Sequence, residues 1–433
     1  MIAFYLLVAL MPMLQHPLWG ESIGGLTLFK YLGVVCVAYA LAYLFFRSSS
    51  PHYFATWQSR FFLAFAALAI ALYDDLGVPE PFGISPLMNY ASLLALFFIT
   101  LTVVASLQRL RWTLLMAVAS VGYASLHILR EWQNAGMAAG YRPGWVTGDP
   151  NFYSLSALLS LPLAYYLLQT KPPAWERWFC IGTLLITILG LTLAASRGGL
   201  IGMTAATVFM ALRSTHRLRT LILACVIILP LMMLAPSSPL SRLLDPDASD
   251  VASADHRVDL VKAGLEMFWK HPFTGVGPGN FKEVLARTGR LRDVHVAHNS
   301  YVSVMAEMGL PGIVLFIGVI VATFISLERV RRFSLGQGLV GVAATAEALE
   351  VGLVGFLVAA YFITAETHRF FWLMVFLSMV LSSLVTRLQE DTSLPLTDPE
   401  EADPRALVGE LVDPSAPGAA GQPAPDTQGA RLG

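Results

Sequence analysis

The chain has 433 residues, 56% of them hydrophobic and only 13% charged, with a mean hydropathy of +0.63. Soluble domains carry about 25% charged residues, so this composition excludes an ordinary water-soluble domain and points to a membrane. The formal net charge of −1 excludes no class of partner, because in such a chain the placement of charge matters more than its sum.

A helix that crosses a hydrocarbon core of about 30 Å needs roughly 17–25 residues. Apolar runs predict spans near 2–15, 26–46, 61–74, 88–107, 112–129, 152–169, 178–196, 198–213, 220–235, 301–327, 340–363 and 370–387. The first run, "MIAFYLLVALMPML", lacks the basic leader of a secretory signal and reads as a short, retained span. The runs at 61–74 and 198–213 are also short, so the count is about twelve, to within one or two. Cys36, Cys180 and Cys225 lie inside apolar runs and read as small buried hydrophobes, not as a disulfide framework or a metal site.

Charge placement tests the span pattern independently. Loops after the even-numbered spans carry Arg47 and Arg60, Arg109 and Arg111, Lys171 and Arg177, Arg213, Arg217 and Arg219, then Arg329, Arg331 and Arg332, and finally Arg387. The opposite loops hold fewer: Arg130, Arg142, Arg197 and Arg369, with Lys30 near one end. Positive residues favour the cytoplasmic face, so both termini are expected there.

Two segments are not spans. The loop 236–297 is expected outside. It opens on "PSSPLSRLLDPDASDVASAD" and becomes helical in "DHRVDLVKAGLEMFWKHP". There Val258, Val261, Leu265 and Phe268 recur at helical spacing, with Asp259, Lys262, Glu266 and Lys270 on another face. Asp255 or Ser253 is the expected N-cap and Pro272 the stop. Such a helix is expected along the membrane surface, apolar side down. The tail 388–433, rich in Pro, Ala, Asp and Gly, holds too little apolar surface to fold and is expected to be disordered and cytoplasmic.

Several residues on the outer face carry chemistry. Arg197, in "LTLAASRGGLIGM", stands in a tight turn whose small residues leave helix N-terminal amides for an anion. Its alternative reading is a snorkelling anchor. Arg257 lies at the edge of the apolar face of the loop helix, and reads equally as one solvated charge among many. So do Arg142, Lys262, Arg290 and Arg292, all potential headgroup contacts. His298, in "AHNSYVSVMAEMGLPG", is either interfacial decoration, with Asn299 or Ser300 capping a helix, or a general base. Glu307, Glu347 and Glu350 lie inside spans, where ionisable groups are costly. Glu307 is turned away from His298 and is expected to pair with another helix. "TGVGPGNF" has no preceding strand and reads as a turn-rich loop. His295 and His298 lack the carboxylate or Cys cluster of a metal site, so no metal is expected.

Four stretches resemble one family, the O-antigen ligase and lipid-linked polysaccharide polymerase superfamily of bacterial membrane glycosyltransferases. "HNSYVSVMAEMGLPG" fits its pattern of His, then Asn, with Gly309 and Gly312 downstream. "ASRGGL" is similar to its Ser-Arg turn before a span. "RVDLVKAGLEMFWKHPFTGVGPGNF" resembles the loop that follows, and "GDPNFYSLSALLSLPLA" an Asp-Pro-Asn start of an earlier span. The matches run from about residue 148 to 312.

The resemblance implies an all-α, GT-C-like bundle, with residues 1–387 as the membrane domain, in a bacterial inner membrane with a periplasmic site. It implies a lipid-linked donor, a glycan on undecaprenyl pyrophosphate, and an acceptor hydroxyl on a glycan or lipid A core. Arg197 and Arg257 would hold the pyrophosphate and His298 would act on the acceptor, by an inverting, metal-independent route with no cofactor. Asn299, Tyr301, Arg142, Asp149 and Asn151 are the expected supporting residues. The partners are substrates and membrane lipids, with no nucleic acid. A polymerase of the same superfamily is the nearest alternative, and a secondary transporter, for which Glu307 is the best support, is the alternative of another class.

Overall fold

A computed structural model describes residues 1–13, 22–23, 26–46, 53–74, 85–138, 141–214, 217–218, 222, 248–288 and 295–393. Its helices, in chain order, are α1 (Ile2–Leu10), α2 (Leu28–Phe46), α3 (Trp57–Ala71), α4 (Pro86–Val103), α5 (Leu107–Asn134), α6 (Pro150–Gln169), α7 (Ala174–Leu193) and α8 (Arg197–Arg213). They continue with α9 (Ala248–Lys270), α10 (Phe281–Thr288), α11 (Ser300–Gly336), α12 (Val340–Ala359) and α13 (Arg369–Ser393). Strands are confined, among the described residues, to a two-residue antiparallel pairing of β1 (Ser22–Ile23) with β2 (Leu26–Thr27).

Among the described residues, seven helices are long and apolar enough to cross a membrane, namely α4 to α7 and α11 to α13, and α2 and α3 are shorter apolar helices. The chain is a multi-pass membrane protein. Helices stand at eleven of the twelve places where apolar runs predict spans. The twelfth, 220–235, lies outside the described residues apart from Ile222, as do Cys225, Arg290, Arg292 and the tail beyond Ser393. The last helix runs past its expected end at Arg387.

Side-chain caps set many of the starts. Thr56, Ser85, Ser106, Asp149, Ser196 and Asn299 each accept a backbone N–H from the first turn of the helix they precede, satisfying donors that a helix start leaves open. The chain order then brings seven termini to one end of the bundle. The last turns of α5, α7 and α12 and the first turns of α6, α8, α11 and α13 all lie there, because consecutive helices joined by short turns run antiparallel.

Lipid tails are as apolar as the core, so packing and polar contacts hold such a bundle more than hydrophobic transfer does. The centre is an aromatic cluster: Phe62 lies 4.7 Å from Phe376 and 4.9 Å from Trp372, ring centre to ring centre, and all three are fully buried. At the end remote from the seven termini, Arg213 of α8 reaches Glu350 of α12 at 2.6 Å and Glu328 of α11 at 2.7 Å. Glu350, an ionisable residue inside a span, is thus neutralised by a neighbouring helix.

α11 is broken. Gly309 has φ +63° and ψ −162°, a conformation that only glycine adopts without strain, and the segment after α9 enters the gap. Leu310 N–H donates to the Pro272 carbonyl at 2.7 Å, Val276 N–H to Ala306 at 2.9 Å and Gly277 N–H to Glu307 at 3.0 Å. The Glu307 carboxylate also accepts the Gly279 N–H at 2.9 Å. Where the sequence leads one to expect a partner on another helix, this carboxylate fastens the glycine-rich loop, whose backbone is too close to α11 for side chains to intervene.

One further expectation about α9 changes. The helix begins at Ala248, so Ser253 and Asp255 lie within it instead of capping it. The run from Ala248 to Ala254 contains neither Gly nor Pro to delay the start. Its buried strip is Leu260, Gly264 and Met267, packed on Phe281, Leu285, Ala297, Val302 and Ala306. The strip read from the sequence as the membrane-facing one is open to the outside in part: Val258 is 52% exposed, Leu265 36% and, on the same line, Trp269 75%. α9 has two apolar strips, and a period of 3.6 cannot say which one meets protein.

Candidate active site at the seven-terminus end

The turn between α7 and α8 sets the first wall. Ala195 takes the left-handed conformation, φ +48°, and Ser196 caps α8 by accepting the Gly199 N–H at 3.1 Å. Arg197 is thus the first residue of α8, where the helix dipole is positive and favours anions. Ser196 Oγ also donates to Asn151 Oδ1 at 2.8 Å. Asn151 stands in the first turn of α6, whose cap Asp149 accepts the Asn151 N–H at 2.6 Å.

The α5–α6 loop supplies another cation. Arg142 Nε donates to the Ala194 carbonyl at 3.1 Å, and its Nη2 to Asn151 Oδ1 at 3.3 Å. The loop is held by Glu131, whose carboxylate accepts the Tyr141 hydroxyl at 2.7 Å and the N–H groups of Gly144 and Trp145, each at 3.1 Å. The hydrogen bond from Tyr141 to Glu131 pushes that phenol up to about 12. Of the external cations that the sequence ranks equally, Arg142 lines the pocket, as Arg257 does, while Arg290 and Arg292 lie outside the described residues. Lys262 instead faces Asp259, at 3.3 Å, on another face of α9.

Arg257 arrives from α9. It precedes Gly264 by seven residues, two helical turns, and so lies on the strip that packs against α11. Arg142, Arg197 and Arg257 line one open pocket together with Asn151, Ser154, Ser196, Gly198, Gly199, Phe362 and Ile363. Three guanidinium groups, the start of α8 and several hydroxyl or amide side chains are the chemistry of a site for a multiply charged phosphate.

His298 stands beside them. Its backbone is left-handed, φ +47°, which costs a non-glycine residue about 1–2 kcal/mol and places it just outside the first turn of α11. Burial, then the neighbouring Arg257, push its imidazole down to about 4; His295 and His256 add to this, and Asp149 opposes it. His256, His295 and His298 form a row, with ring centres 5.6 and 6.1 Å apart. At neutral pH His298 is therefore a neutral imidazole with a ring nitrogen able to accept a proton.

The remaining expected residues hold the frame. Asn299 caps α11 by accepting the N–H groups of Tyr301 at 3.0 Å and Val302 at 3.1 Å. Tyr301 turns away from the pocket and donates its hydroxyl to the Leu357 carbonyl on α12 at 2.8 Å. Unforeseen from the sequence is the turn between α12 and α13, where Glu366 is buried and His368 half-buried behind the pocket wall. The only signal for it was a carboxylate and an imidazole in a short external turn.

A search of curated proteins finds no match to this chain. Residues 182–317 match the family model described as O-antigen ligase, a stretch that holds Arg197, Arg257 and His298 and stops short of Arg142, Asp149 and Asn151. That match lies over the segment that builds the cationic pocket, and it supports the O-antigen ligase superfamily of ligase- and polymerase-type membrane glycosyltransferases for this stretch of the chain.

Proposed function

We propose that this protein transfers a glycan from a lipid-linked pyrophosphate to an acceptor hydroxyl, in the manner of an O-antigen ligase with lipid A core as acceptor. The observation that carries this reading is the convergence of Arg142, Arg197 and Arg257, from three separate segments, on one pocket beside His298. A glycan on undecaprenyl pyrophosphate offers the matching charge.

In the reaction, the acceptor oxygen forms a bond to the anomeric carbon while the bond from that carbon to the pyrophosphate oxygen breaks. Attack from the face opposite the leaving group inverts the centre. The lipid pyrophosphate departs with the electron pair, and the guanidinium groups stabilise its growing charge more than the ground-state charge. His298 accepts the hydroxyl proton. A bound pyrophosphate offsets the field of Arg257, so donor binding raises the basicity of His298 just when a base is required.

The pattern of positive loops supports a bacterial inner-membrane location with the pocket on the periplasmic face and both termini cytoplasmic. The same topology supports about twelve spans in the membrane domain 1–387. It puts α9 outside within the loop 236–297, with Val258, Leu265 and Trp269 toward the headgroups. The segment from 388 onward begins as the last turn of α13, and its remainder is read as a cytoplasmic tail.

The test is transfer in vitro from a purified lipid-linked glycan, offered lipid A core or a second lipid-linked chain. His298→Ala should abolish transfer at normal protein abundance, and normal turnover would remove the base role. Product on lipid A core supports a ligase. Product only on the second chain makes the protein a polymerase.

A further inference from the structure

The turn between α12 and α13 is joined to the first turn of α11 by more contacts than its length requires. Ser300 Oγ donates to the Ile363 carbonyl at 2.8 Å and accepts the Ala365 N–H at 2.9 Å. One turn along, Ser303 Oγ donates to Glu366 Oε1 at 3.3 Å. Trp372, fully buried at the start of α13, donates its indole N–H to the Glu366 carbonyl at 2.7 Å. Ser300 and Ser303 share one face of α11, and Ser300 follows His298 by two residues. Phe362 and Ile363, at the start of the same turn, line the arginine pocket.

Glu366 is held at a cost. It is 8% exposed, its Oε2 is buried without a hydrogen-bond partner, and burial pushes its carboxyl up to about 7. Thr364 Oγ1 and His368 Nδ1, in the same turn, are also buried without partners. Buried polar groups are nearly always satisfied, and a lone one is destabilising. A core selected for stability alone would place an apolar side chain at 366. Such costs are retained where function needs the group.

We propose that Glu366, acting through Ser303 and Ser300, is a positioning residue that fixes the first turn of α11 and so the direction of the His298 imidazole toward the acceptor. It touches neither donor nor acceptor. His298 has a strained backbone and lies outside the helix, so its placement depends on what holds the turn it abuts. The inference rests on the base role proposed for His298.

The experiment compares Glu366→Met, Glu366→Gln and Ser303→Ala with His298→Ala in the full-length protein, using a purified lipid-linked glycan and its acceptor. Glu366→Met should lower kcat at least tenfold, leave KM for the donor within twofold and leave thermal stability equal or higher. Glu366→Gln, which keeps an acceptor for Ser303, should retain at least a third of kcat. Adding Ser303→Ala to Glu366→Met should cost no further activity. Wild-type kcat in Glu366→Met, or activity lost in both Met and Gln variants together with stability, would overturn the positioning role. His298→Ala with normal transfer would instead overturn the base role, whichever way the Glu366 variants behave.

Discussion

Gly279 donates its backbone N–H to the side chain of Glu307 at 2.9 Å, so a carboxylate inside a membrane helix is anchored to an irregular loop. The contact ties α9, and with it Arg257, to the broken start of α11 that follows His298. Glu307→Ala should lower thermal stability in detergent by about 1–3 kcal/mol, the cost of a buried donor left alone. Glu307→Gln keeps an acceptor and should recover most of that loss; equal stability of all three proteins would deny the anchoring role.

Gly309 allows that loop its place. A Cβ there would sit 2.7 Å from the Phe273 carbonyl carbon and the Pro272 oxygen, at φ +63°. Gly309→Ala combines a backbone clash with a strained conformation, about 1–3 kcal/mol for the strain alone. The expected outcome is a sharp fall in folded protein recovered from membranes, read by monodisperse yield. Wild-type yield would mean that the helix break is not required.

Arg213 and Glu350 form a buried pair on the other side of the bundle, where Glu350 is 0% exposed. Arg213→Met strands that carboxylate and should destabilise by about 3–5 kcal/mol. α8 separates Arg213 from Arg197 by about 24 Å at 1.5 Å per residue. The transfer rate per folded molecule should therefore stay near wild type, measured by activity normalised to folded protein.

The pH profile reports on His298. The base must be unprotonated, and burial with Arg257 lowers its pKa to about 4. Activity as kcat/KM should therefore persist as pH falls through 6.5 and be lost near 4. Asp149→Asn removes the carboxylate that opposes this shift and should move the acid limb lower still, while the amide still caps α6. An acid limb near 6.5 in wild type, unmoved by Asp149→Asn, would contradict the arrangement.

Arg197 stands at a helix start where a planar fork meets an anion. Arg197→Lys keeps the charge and loses the bidentate geometry. Transfer should drop about 10- to 100-fold, or about 1.4–2.7 kcal/mol, at unchanged protein abundance. Wild-type turnover in that variant would take Arg197 out of the site.

Much of this protein is written in its sequence. Apolar length and the spacing of Arg and Lys along the loops set the helices, because hydrocarbon leaves few solutions for a backbone. Arg197 and His298 stand out as residue types in unusual places, a cation in a turn that should lack one and an imidazole at a span end, whereas Arg257 is picked out only by the family resemblance. The helix start at Ala248, the buried strip Leu260–Gly264–Met267 and the partner of Glu307 were not legible. Each depends on which neighbour arrives, and periodicity carries no information about neighbours.

Composition and local pattern thus determined the bundle and nominated the charged residues, since both follow from the affinity of each segment for water or lipid. Only the tertiary structure decided that Arg142 and Arg257 join the pocket while Lys262 does not, and that a left-handed His298 stands beside Arg257. It alone brought Glu366 behind Ser303. These relationships join residues far apart along the chain, Ser303 and Glu366 being 63 positions apart, and they exist only because seven helix termini meet at one end of the molecule.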